Sequence, residues 1–293
     1  MKTTDHTYSK QTTLGLGVFI VAAIIIYLLW GDTRGLGAPP LTPVLLFWLL
    51  ISGLIAGLFG SLIGVGGGVI LLPILHFSLG YPSPIAVGTS LLIVAFASAS
   101  GGYGHLIRNN VSIEAFKWTT PAAILGVIIG SVLFILLAHD TPLLGLLLGI
   151  AFIIPALLMI WESLSPIRFQ SRLDKLNINQ PYMAGLGLIT GTLTGLLGLG
   201  GGYLLVPGFI YFFHLPVVLT MGTSLAVIFP VSMIGSIIKL SGGYVDIIAA
   251  LIGSAATVVG STIGASTIKY FKPQILKLVF SLYFLYVSIR FLL

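Results

Sequence analysis

Apolar runs that reach or approach twenty residues recur along this chain, and the short loops between them carry most of its charges. A run of that length crosses the hydrocarbon core of a bilayer as a helix. Of the 293 residues, 57% are hydrophobic and 7% charged, against roughly 25% charged in a soluble domain, so the solvent for this fold is lipid. Lipid offers the backbone no hydrogen-bond partner, which restricts spanning segments to helices or a closed barrel. The runs lack the alternation of barrel strands. The reading is an all-α polytopic protein of the plasma (inner) membrane.

The chain has no cysteine, which excludes disulfides, thiolate metal sites and cysteine nucleophiles. Its net charge of +6 comes from thirteen basic residues lying mostly in loops, where they suit anionic headgroups rather than nucleic acid. The expected partners are the lipid bilayer and a small anionic solute. Oligomeric state stays open, and no cofactor or metal is called for.

Leu14 to Trp30 is apolar but is followed by no small-x-small cleavage site, so residues 1–40 read as a retained N-terminal helix and its loop. Spans follow near 41–63, 84–107, 119–138 and 142–161, then a polar stretch at 162–180 with Arg168, Arg172 and Lys175 against Glu162 and Asp174. Four more fall near 181–198, 217–240, 246–268 and 275–293. The units are therefore residues 41–161, a linker expected in the cytoplasm at 162–180, and residues 181–293.

The two units match without gaps at an offset of 134 residues. Gly57–Pro73 pairs with Gly191–Pro207, Pro82 with Pro216, and Gly88-Thr89-Ser90-Leu91 with Gly222-Thr223-Ser224-Leu225. Thirteen of the 35 pairs from Gly57 to Leu91 are identical, which marks an internal repeat. Between each glycine cluster and the next span lies an apolar piece of about 12 residues, Val69–Gly80 or Tyr203–His214. At 1.5 Å per residue it is too short to cross, so each repeat is read as four spans plus a half-helix, nine crossings in all with the extra N-terminal helix. That count makes the halves parallel and puts Arg34, Arg108, Lys117 and Lys239 on the cytoplasmic side with the linker, Lys269 and Lys272 outside. If the short pieces also carry the chain across, the alternative is an inverted pair of five-segment repeats.

The clusters Gly64-Val-Gly66-Gly67-Gly68 and Gly198-Leu-Gly200-Gly201-Gly202 can adopt positive φ and expose consecutive N–H groups ahead of a helix start, an arrangement that attracts an anion. Pro73 and Pro207, five residues on, belong to the half-helices. Close helix packing is the competing reading for the clusters and the stronger one for Gly126-x-x-x-Gly130 and Gly260-x-x-x-Gly264. Thr89, Ser90, Thr223 and Ser224 offer hydroxyl donors to an oxyanion, against the alternative of bonding their own helix carbonyls. His105 and Lys239 occupy equivalent positions and supply one cation per half, against the alternative of headgroup contact. No acidic residue lies inside a hydrophobic span, Asp246 included, which argues against cation substrates and a carboxylate relay. Nucleophile elbows, a P-loop lysine and the His-Glu-x-x-His motif are missing, so no enzyme is expected. His76 and His214 do not align and read as cap or packing residues.

The paired glycine segments, each with its proline five residues on, and the Gly-Thr-Ser triplets resemble the sulfite exporter TauE/SafE family of membrane permeases over about residues 45–293. The family motif carries over to Gly64, Gly66, Gly67, Gly68 and Pro73, and to Gly198, Gly200, Gly201, Gly202 and Pro207. The resemblance implies movement of sulfur-containing anions and related organic acids, often outward. It favours a secondary transporter working by alternating access between the repeats, over a selective channel or a membrane subunit that binds a partner helix.

Overall fold

The computed structural model describes residues 35, 37–164, 179–267 and 273–293. The helix expected at Leu14–Trp30, most of the 162–180 linker, Arg34, Lys269 and Lys272 lie outside them. Regular structure among the described residues is entirely helical: α1 (Pro43–Ile63), α2 (Gly68–Pro73, continued by a π-helical turn over Ile74–Ser78), α3 (Ser83–Leu106), α4 (Ile113–Leu137), α5 (Thr141–Leu164), α6 (Gln180–Leu197), α7 (Gly202–Tyr211), α8 (Val217–Ser241), α9 (Ile247–Thr267) and α10 (Pro273–Leu292). Five of them, α1, α3, α4, α8 and most of α9, are long and apolar enough to cross a membrane. The chain is a multi-pass membrane protein.

Local chemistry sets the helix boundaries. Thr42 caps α1 by accepting from the Leu45 N–H at 3.1 Å, with Pro43 at the first helical position. Gly64 closes the same helix at φ 78°, the left-handed conformation glycine adopts without strain. Ser112 caps α4 and Asp246 caps α9, each accepting from an N–H three residues on. Pro82 and Pro216 precede α3 and α8. The pairs α2 and α7, α3 and α8, and α4 and α9 each start 134 residues apart, at 68 and 202, 83 and 217, and 113 and 247. Pro73 and Pro207 lie inside α2 and α7, the sixth residue of each.

Each short helix returns the chain to the side it came from. A Cβ added to Gly37, just before α1, would lie 3.3 Å from Pro82, just before α3, so the α1–α2 segment begins and ends together. Asn179 and Tyr182 at the start of α6 line one cleft with Phe212 and Phe213 after α7. Residues 43–78 and 180–211 are thus two helical hairpins, each with a glycine cluster at its turn.

The long helices α3 and α8 run antiparallel. Gly88 near the start of α3 packs on the carbonyl of Tyr244 after α8, and Gly222 near the start of α8 packs on the carbonyl of Asn110 after α3. Four-span repeats would have made these helices parallel, so that expectation is corrected: a hairpin contributes no net crossing, which leaves an odd number per half. Arg108 and Lys239, expected on one side, consequently lie at opposite ends of the bundle.

The halves exchange helices. α1 packs in parallel against α9 and α6 against α4, while α3 meets α8 and α5 meets α10. Small residues bring the backbones close: Gly187 lies against Thr119, Gly191 against Ala123 and Gly195 against Val127, a constant spacing of 68 residues. Gly126 and Gly130 face the same α4–α6 seam, and Gly260 and Gly264 rest on Leu54 and Leu58 in the α1–α9 seam. Replacing Gly191 by Leu should therefore destabilise the purified protein by about 1–3 kcal/mol through overpacking. Gly185→Ala, where an added methyl meets nothing within 4 Å, should cause no loss in the same thermal-unfolding measurement.

Candidate functional site

Glycine is required at both hairpin turns because the chain reverses there inside the protein. Gly64, Gly66 and Gly67 have φ of 78°, 81° and 81°, and Gly198, Gly200 and Gly201 have 71°, 84° and 72°. Side chains other than glycine rarely adopt such angles. All ten residues of the two clusters are buried.

The turns meet each other. A Cβ on Gly68 would lie 2.7 Å from the Leu199 carbonyl oxygen, and one on Gly202 would lie 2.7 Å from the Gly64 oxygen. Val94 of α3 touches Gly66, Gly68 and Gly200, and Ile228 of α8 touches Gly66 and Gly202. Val94 and Ile228 are the twelfth residues of their helices, so the clusters pack together near mid-depth. The N-termini of α2 and α7 point into this junction from opposite sides. No described residue accepts from the N–H groups of Gly67, Gly68 and Val69, nor from those of Gly201 and Tyr203, the donors that a helix start leaves free.

Of the four triplet hydroxyls, the two serines reach the turns and the two threonines reach the caps of α9 and α4, and all four face protein. Ser224 donates to the Gly64 carbonyl and Ser90 to the Gly198 carbonyl at 3.3 Å, so each half holds the turn of the other. Thr223 accepts from the Ser112 N–H at 2.8 Å and Thr89 from the Asp246 N–H at 2.9 Å. These bonds join each long helix to the residue that caps another, Ser112 before α4 and Asp246 before α9. Bonding to the same helix also occurs, from Ser90 to Val87 and from Thr223 to Leu219.

His105 and Lys239 are not brought together. His105 lies against Gly222 at one end of the α3–α8 pair and Lys239 near the other. Seventeen residues of α8 separate Gly222 from Lys239, about 25 Å along the axis. The headgroup reading fails for both, since His105 is 3% exposed and Lys239 fully buried. The Lys239 ammonium donates to the Gly195 carbonyl and to Ser131 Oγ at 3.3 Å, and lies 4.5 Å from the centre of the Phe134 ring.

Sequence reasoning missed three residues. Asp246, read as an edge residue, is fully buried, with Tyr81 OH donating to Oδ2 at 3.0 Å. It does stand at a helix edge, as the cap of α9, and is buried there against Thr89 and Tyr81. Tyr203 OH and Ser232 Oγ are buried with no hydrogen-bond partner. Tyr203 follows Gly202 at the start of α7, and Ser232 lies one helical turn from Ile228 on the same face of α8. His76, by contrast, does pack: Nδ1 is 2.8 Å from the Tyr81 carbonyl and the ring stacks on Phe291.

Two opposed hairpins thus meet at free helix starts inside a bundle of membrane-crossing helices. The sulfite exporter TauE/SafE family model matches residues 49–291, and the chain belongs to that family. It is 31% identical over 255 residues to the probable membrane transporter protein MJ0441 of Methanocaldococcus jannaschii, covering 81% of this chain and 92% of that one. It is 29% identical over 242 residues to the probable membrane transporter protein YunE of Bacillus subtilis, covering 74% and 86%. The probable membrane transporter protein MamO of Paramagnetospirillum magneticum is 24% identical over 274 residues, 80% of this chain and 42% of that longer one. No solved structure matches.

The cross-half serine bonds carry a measurable load. Ser90→Ala and Ser224→Ala should each lower stability by about 1 kcal/mol, read as a lowered unfolding temperature, with the larger effect in the double variant.

Proposed function

We propose that this chain is a secondary transporter that exports small sulfur-containing anions, such as sulfite, thiosulfate or sulfoacetate and related sulfonates, by alternating access at the junction of its two glycine turns. The observation that carries this reading is the pair of opposed half-helix starts. Each helix start bears about half a positive charge and unpaired N–H donors, and the two face each other in an apolar interior. The acidic residues of the described segments, Glu114, Asp140, Glu162 and Asp246, all lie at helix ends, so no carboxylate at the junction offsets that field. A small monovalent or divalent oxyanion does so, and transporters use discontinuous helices in this way.

The duplicated architecture supports the same mechanism. The 134-residue spacing of element starts and the antiparallel α3–α8 pair fit two inverted five-segment repeats, 41–161 and 181–293, related by a pseudo-two-fold axis in the membrane plane. In such a pair, displacement of a hairpin against the rest of the bundle exposes one central site to each side in turn. The substrate class follows the name of the family, sulfite exporter. Within the site, we assign anion contact to the N–H groups of Gly67, Gly68, Gly201 and Tyr203 and to the free hydroxyls of Tyr203 and Ser232, the Gly202 N–H being bonded to the Gly200 carbonyl. Gly64, Gly66, Gly198 and Gly200 shape the turns. Thr89, Ser90, Thr223 and Ser224 hold them, and His105 and Lys239 stand behind them.

The test is counterflow into liposomes bearing the purified protein, with labelled sulfite or thiosulfate outside and each candidate anion inside. Saturable, counter-stimulated flux is expected, and non-saturable conductance would instead favour a channel. Tyr203→Phe and Ser232→Ala should each weaken anion affinity about fivefold, the value of one hydrogen bond near 1 kcal/mol. Their unfolding temperature without anion should not fall, because neither hydroxyl has a protein partner to lose. Wild-type affinity in both variants would remove these two residues from the site.

A further inference from the structure

The two hairpins differ in how they are held from behind. At the second, Lys239 of α8 ties three helices: its ammonium donates to the carbonyl of Gly195 on α6 and to Ser131 Oγ on α4, under the face of the Phe134 ring. Gly195 lies three residues before the turn glycine Gly198, so the tie acts on the arm that carries the turn. The cation is fully buried.

At the first hairpin the equivalent residues are His105 for Lys239 and Ser61 for Gly195, each 134 residues earlier. Ser61 likewise lies three residues before its turn glycine, Gly64. Its Oγ is 3.6 Å from a Cβ placed on Gly101, one helical turn before His105 on α3. The two side chains stand near each other and make no bond: Ser61 Oγ and both ring nitrogens of His105 are buried without a hydrogen-bond partner. The serine contacts on the turns are symmetric, Ser224 on Gly64 and Ser90 on Gly198; Tyr283 of α10 also donates to the Ile70 carbonyl of α2 at 3.2 Å, and behind the turns, on the arms α1 and α6, the difference is the Lys239 tie.

We propose that Lys239 is a positioning residue that fixes the second hairpin, α6–α7, as the static wall of the site, and that the first hairpin, α1–α2, is the gate. Pulling the second hairpin away would strand an ammonium in an apolar interior with its acceptor removed, a costly state for a buried charge. Moving the first hairpin breaks no bond to His105 or Ser61, because none exists. Lys239 acts through the Gly195 carbonyl rather than on the anion. The inference rests on the hairpins being the gates of the transport reading and is independent of which anion moves.

The absence of cysteine from the chain makes the test direct. Val65 and Leu199 are equivalent residues in the two turns, 3% and 0% exposed. Val65→Cys and Leu199→Cys are each prepared in the full-length protein, reconstituted without added anion, and labelled with a membrane-permeant maleimide. Rates are normalised to the same proteins unfolded in detergent. Val65→Cys should react at least tenfold faster than Leu199→Cys. Adding Lys239→Gln should speed Leu199→Cys at least tenfold and leave Val65→Cys unchanged, and Lys239→Arg should restore protection. Equal rates in the two parent proteins would overturn the proposal even if the Lys239 variants fail to fold. A Lys239→Gln effect shared by both positions would also overturn it, since general loosening affects both turns. Because no anion is present, either result leaves the counterflow test of the transport reading untouched.

Discussion

Every unpaired backbone group inside this protein must find a partner within it, because lipid supplies none. A helix that stops at mid-depth frees carbonyls at one end and N–H groups at the other. Here both stops are made by glycine, and each first turn glycine has its carbonyl taken up by a serine of the opposite half. With those two carbonyls taken up, the donors at the starts of α2 and α7 are left free at the junction. In the proposed site, the attraction for an anion thus comes from which backbone groups the protein satisfies and which it leaves. No basic side chain is needed to create it.

The same exchange explains why the triplet residues recur. Thr89 and Thr223 receive the N–H of the residues that cap α9 and α4, while their serine neighbours hold the turns. Adjacent residues on one long helix therefore address two elements of the other half. Binding between halves runs through all four hydroxyls, and the two serines also hold the turns.

Much of this was legible in the sequence. The apolar runs set the lipid-facing helices, and the 134-residue offset placed the turns, half-helices and triplets to within a residue or two. Direction was not legible, since an offset is blind to whether a short helix crosses or returns, and that parity decided whether Arg108 and Lys239 share a side. The partner of each hydroxyl was equally hidden. Thr89 meets Asp246 across 157 residues and Tyr81 meets it across 165, separations that no local pattern reports. Lys239 looked like a headgroup or substrate cation because its acceptor is a backbone carbonyl, which has no sequence signature. Tyr203 and Ser232 broke the repeat symmetry or carried no motif, and only their lack of a partner in the folded protein singled them out.

The exchange of helices between halves has a bearing on how the chain is made. Gly53 of α1 packs on Gly253 of α9, 200 residues later, while protein synthesis proceeds at about 5–20 residues per second. For roughly 10–40 seconds, then, the first hairpin stands in the bilayer with its small-residue face uncovered and its glycine turn unheld. The early half must persist in lipid as an unfinished surface until the late half arrives to close it. Assembly of this protein is in that sense a docking reaction between two parts of one chain, completed only after the last helices have left the ribosome.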